Sequence, residues 1–112
     1  MATERRNFTE EEINYAWSKA KEVSGVDKNK WRKDYAGAWI YRDHYGRTDS
    51  DYGWEVDHRK PLALDGTYDK ANLDPLQWNN NRTKDDNYPR WKTSKSSLSN
   101  KNIDKEQSWL IK

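Results

Sequence analysis

The sequence predicts a small α+β domain, and three observations carry that prediction. A capped amphipathic helix is written near the start. Two short runs of aromatic and β-branched residues precede the middle. A third extended piece then leads directly into a second helix. At 112 residues the chain is the size of one domain. Leu, Ile, Val and Phe make up only 14 of 112 residues, a fraction that usually marks disorder. The net charge is only +2, however, and seven Trp and seven Tyr can replace the missing aliphatic volume. The expectation is a folded body with an aromatic-rich core.

The elements follow in order. Thr9 and Glu12 have capping-box spacing, Phe8 and Ile13 occupy the positions of a hydrophobic staple, and Glu10 and Glu11 favour the positive end of a helix. Ile13, Ala16, Trp17 and Ala20 form one apolar stripe, and Gly25 is the expected stop. Ala38 to Arg42 reads as a strand, and Gly46 to Gly53 as a polar turn. Trp54 to His58 alternates, with Trp54, Val56 and His58 on one face, and Pro61 suits the strand's end. Residues 62–71 read as a loop and 72–76 as a short extended piece. A helix then begins near Trp78 and runs towards Asp86. Five serines or threonines and three asparagines make 87–102 read as irregular, and Ile103 to Ile111 as a short closing helix that docks Trp109. Three segments result: an N-terminal helix and basic connector (1–34), a central unit (35–88) and a basic tail (89–112).

The chain has no cysteine, so disulfides, zinc knuckles and thiol nucleophiles are excluded. No run approaches the roughly 20 apolar residues of a membrane span, and the first residues lack a secretory signal's apolar stretch. A cytoplasmic location without a membrane partner is the expectation.

Chemistry concentrates between Trp54 and Asn87, where an Asp-His pair ends a strand and Asn-Arg-x-Lys opens a helix. A histidine with a pKa near 6.5 can take a proton from water at neutral pH. A carboxylate and an amide oxygen can hold a hard divalent cation that also binds phosphate, and arginine or lysine can contact a polyanion. The set reads as metal-assisted hydrolysis.

Three blocks carry a family resemblance: Asp57-His58 followed by Pro61, then Asn72-Leu73, then Asn81-Arg82-x-Lys84. Over residues 35–88 the chain resembles the HNH endonucleases, whose catalytic unit is the ββα-metal finger. The resemblance implies hydrolysis of DNA with one divalent cation, Mg²⁺ or Mn²⁺, and no structural zinc. It implies His58 as the general base, Asp57 and Asn81 as cation ligands, and Asn72 as a catalytic brace that holds the loop and the His58 ring. The Arg82-x-Lys84 spacing selects Asn81 over its neighbours Asn79 and Asn80. Gln77 and Asn80 stand where many relatives carry a cysteine pair, and Arg59 stands where an apolar residue is usual.

Arg82 and Lys84, with Arg90 and Lys92 from the tail, are the expected contacts to duplex DNA; the competing reading is a solvated face. Trp91, between Arg90 and Lys92, is the candidate for base stacking. His44 reads as structural or exposed rather than functional. Two other functions fit the same residues: a DNA-binding module that does not cut, and a nuclease toxin with an immunity partner.

Overall fold

The computed structural model describes residues 4–111 as an α+β fold with two α-helices and three small antiparallel sheets. Helix α1 spans Glu10–Lys19 and opens as its sequence dictates: Glu12 N donates to Thr9 Oγ1 and Thr9 N donates to Glu12 Oε1. It ends earlier than Gly25. The chain turns extended at Ala20, and Lys21 exchanges both backbone hydrogen bonds with Lys33. Gly25 serves a later turn, at φ +81°.

Strand β1 (Trp31–Lys33) pairs antiparallel with β2 (Trp39–Tyr41), with Arg32 opposite Ile40. The basic run at Lys28–Lys33 is therefore partly structural. Arg32 is buried, and its guanidinium donates to the carbonyls of Trp17 and Ser18 at the end of α1. Strand β3 (Trp54–His58) pairs antiparallel with β4 (Leu73–Gln77), and helix α2 (Trp78–Lys84) follows without a loop. Gln77 caps α2 by accepting from Asn80 N.

The tail differs from expectation. Strands β5 (Arg90–Leu98) and β6 (Lys101–Leu110) form a long antiparallel hairpin where an irregular strap and a closing helix were predicted. Trp91 faces Trp109 across the hairpin, and Trp109 Nε1 donates to Thr93 Oγ1. The flanks belong to the body: the Cα radius of gyration is 13.4 Å, against about 13 Å for a compact chain of this size. No helix among the described residues is long and apolar enough to cross a membrane.

The core forms where α1 meets β3 and β4. Ala16, Trp17, Ala20, Ile40, Trp54, Val56 and Leu73 make one buried cluster, and the Trp17 and Trp54 rings lie 5.3 Å apart. Rings thus fill the volume that aliphatic side chains do not, as the composition predicts.

A second, polar centre joins three elements. Asp34 Oδ2 accepts from Gln77 N and Asn80 Nδ2, while Asn80 Oδ1 accepts from the backbone N–H groups of Ser94 and Lys95. Gln77 and Asn80, which stand where the resemblance would put a cysteine pair, are both fully buried and hold the β1–β2 turn, α2 and β5 together. Asn80→Ala strands two backbone donors and is expected to lower stability by about 2–3 kcal/mol. Urea denaturation measures this, and an unchanged midpoint refutes the role given to Asn80.

Candidate active site

Strand alternation sorts the residues of β3. Trp54, Val56 and His58 face the α1 side, and Glu55 and Asp57 face α2. Glu55 fastens the helix: its two carboxylate oxygens accept from Asn81 Nδ2 at 3.0 Å and Arg82 Nη2 at 3.1 Å. With its amide nitrogen engaged there, Asn81 keeps its amide oxygen for another partner. Asp57, His58 and Asn81 line one cavity of about 220 Å³, as do Asp85 and Asp86 beyond the end of α2. The structure therefore brings together the three residues that the sequence singles out for base and ligand roles.

Asp57 and His58 are 7% and 6% exposed. Asp57 Oδ2 and His58 Nε2 are buried; Asp57 Oδ2 has the Lys84 ammonium 3.2 Å away as its ionic partner, whereas His58 Nε2 has no hydrogen-bond partner. Leaving such a group unsatisfied costs about 1–3 kcal/mol, so the imidazole nitrogen calls for a partner. Burial pushes the Asp57 carboxyl up to about 7, against the pull of the Lys84 ammonium. Burial also pushes His58 down to about 4, with the charges of Arg5 and Lys84 adding to the effect. At neutral pH the imidazole is thus uncharged, the form a proton acceptor needs.

A divalent cation fits this donor set. Carboxylate and amide oxygens are hard ligands, and the cavity walls carry three carboxyl groups against the two arginines Arg5 and Arg82. Among the described residues no three acidic or histidine side chains converge closely enough to cage a metal by themselves. A cation held here would keep part of its water shell, as Mg²⁺ does.

Asn72 braces the loop but does not touch the imidazole. Its Oδ1 accepts from Lys60 N, and its Nδ2 donates to the carbonyls of Lys60 and Thr67, closing the segment between β3 and β4. The ring is fixed instead by aromatic contacts, with centroid distances of 5.0 Å to Phe8 and 4.6 Å to Tyr68. Arg59, which had no sequence rationale, makes a bidentate pair with Asp74 at 2.8 and 2.9 Å. His44 lies outside the cavity, with Nδ1 2.7 Å from Ser50 Oγ.

Two expected nucleic-acid contacts are corrected. Lys84 is fully buried and cannot reach a phosphate. Its Nζ donates to the carbonyls of His58 and Arg59 and lies 3.2 Å from Asp57 Oδ2. It shares the inward face of α2 with Asn80, one turn earlier. Trp91 is also buried, and its Nε1 donates to Tyr35 Oη, so it is no stacking platform. Arg90 and Lys92 project from the exposed face of β5 and Arg82 stays exposed, but Glu106 stands 3.6 Å from Lys92. The acid-free run 87–103 thus meets acids from β6 once the hairpin forms; Asp104 likewise pairs with Lys95.

Sequence reasoning missed the residues that reach the site from the N-terminal arm. Arg5 lines the cavity and Phe8 packs on the His58 ring. A hydrophobic residue before the cap was the only available signal, and it pointed to a staple. In comparisons with family models, curated proteins and solved structures, nothing matches this chain.

Proposed function

We propose that this chain is a metal-dependent endonuclease of the HNH type that hydrolyses phosphodiester bonds in DNA. The observation that carries the reading is the meeting of Asp57, His58 and Asn81 on one cavity, with His58 Nε2 buried and without a hydrogen-bond partner. The order β3, β4, α2 supports it, since a ββα-metal finger places its base at the end of one strand and a ligand on the following helix.

Asp57 and Asn81 would hold the cation, Mg²⁺ or Mn²⁺, which when bound supplies positive charge to the phosphate and the departing 3′ oxygen. His58 accepts at Nε2 the proton of the water that attacks phosphorus, and the 3′ oxygen leaves with the bonding pair. Phe8 and Tyr68 pack on the imidazole and keep it from turning. Asn72 acts at a distance, by holding the loop that connects the two strands. Arg82, Arg90 and Lys92 are the exposed cations left to meet the DNA backbone.

Purified protein incubated with supercoiled plasmid is expected to produce nicked or linear product in Mg²⁺ or Mn²⁺ and none in EDTA. Plasmid that stays supercoiled in both metals overturns the reading.

A further inference from the structure

We propose that the N-terminal arm completes the active site, with the guanidinium of Arg5 binding the phosphate that is cut. The inference rests on the endonuclease reading and adds a substrate-binding residue to it.

The arm ahead of α1 is fixed by a dense set of contacts. Arg6 makes a two-pronged pair with Glu12 at 2.9 and 2.8 Å, and its guanidinium lies 3.9 Å from the centroid of the Tyr68 ring. The Arg6 backbone N–H donates to Tyr68 Oη at 2.7 Å, and that hydroxyl donates back to the Arg6 carbonyl at 3.0 Å. Glu12 is the capping-box residue of α1, so the clamp is built into the helix start. The same Tyr68 packs on the His58 ring, and so does Phe8 from the arm. One cluster therefore holds both the arm and the imidazole.

Arg5 is the residue the clamp leaves over. It is exposed, it lines the cavity with Asp57 and His58, and its charge is felt at the imidazole. Of the two arginines on the cavity wall, Arg82 is held by Glu55, whereas Arg5 has no carboxylate partner among the described residues. Lys84 is buried and its ammonium is already engaged. A phosphodiester entering a cavity with three carboxyl groups needs positive charge beyond one divalent cation. A planar guanidinium on a fixed backbone can meet two non-bridging oxygens at once, a geometry that lysine cannot reproduce. The contact reads phosphate alone and carries no preference for base sequence.

The test compares wild type, Arg5→Ala and Arg5→Lys in two assays: plasmid nicking in Mg²⁺, and binding of a short DNA duplex in EDTA over a range of salt. Arg5→Ala is expected to lower kcat/KM by about 10- to 100-fold, the loss of one charge-assisted contact. It should also flatten the slope of log K against log salt by about 0.9. Arg5→Lys restores the salt slope but only part of the rate, a split that a structural role for the arm would not produce. Thermal melting of Arg5→Ala should overlay wild type, because the side chain is exposed. A wild type that nicks beside an Arg5→Ala that nicks equally well overturns this inference and leaves the endonuclease reading in place. A wild type that leaves the plasmid intact overturns both.

Discussion

His58→Ala is expected to lower the rate of plasmid nicking by about 10²–10⁴-fold, the usual contribution of a general base. The variant should also melt below wild type, because the ring is 6% exposed and packed between Phe8 and Tyr68. His58→Asn, which keeps a polar group and more of the volume, separates the two effects: its melting point should recover while its rate stays low. The ring should titrate in the metal-free protein near 4 instead of 6.5. Since the folded value lies below the unfolded one, the unfolded chain takes up the proton first as pH falls. His58 therefore withdraws stability progressively from about pH 6.5 down to 4. NMR titration of the imidazole and melts across that range measure this. Nicking by His58→Ala at the wild-type rate removes His58 as the base.

What was legible in the sequence was local. The capping box of α1, the alternation of β3 and the residues around its end are spacings within a few positions, and each stands where its pattern placed it. Contacts between distant segments left no such trace. Strand β5 alternates in burial only from Arg90 to Thr93, and the following run of serines has no apolar face to read. Its pairing with β6, Trp91 opposite Trp109, exists only once the chain has turned back on itself. The clamp between Arg6 and Tyr68 joins residues 62 apart. The sequence set Asn80 aside in favour of Asn81, and only its neighbours in space distinguish it as a buried junction between Asp34 and β5. Lysine is almost never fully buried unless paired, so a surface role for Lys84 was the natural sequence reading, and its partner Asp57 lies 27 positions earlier.

That burial makes Lys84 the side chain whose loss should cost most in stability. Lys84→Met keeps the approximate length and removes the charge, so the carbonyls of His58 and Arg59 lose their donor and Asp57 loses its counter-charge. Breaking a buried pair from one side costs about 3–5 kcal/mol. The deficit should depend on pH in a definite direction. Lys84 holds the Asp57 carboxyl down against the upward push of burial, so without it the carboxyl is higher than its value of about 7. A protonated Asp57 needs no counter-charge, and the variant is then closer to wild type at pH 5 than at pH 8. Mg²⁺ should recover part of the loss at pH 8 if Asp57 is a ligand, by about 2.7 kcal/mol at a hundred times the dissociation constant. Urea denaturation in EDTA and in Mg²⁺ at the two pH values measures all of this. A surface lysine on a solvated helix face would give a change within about 0.5 kcal/mol and no pH dependence. A large deficit in EDTA that Mg²⁺ leaves untouched would keep the buried pair and remove Asp57 from the coordination of the metal. The slope of DNA binding against salt should stay at the wild-type value in every case, because an ammonium enclosed between β3 and α2 meets no phosphate.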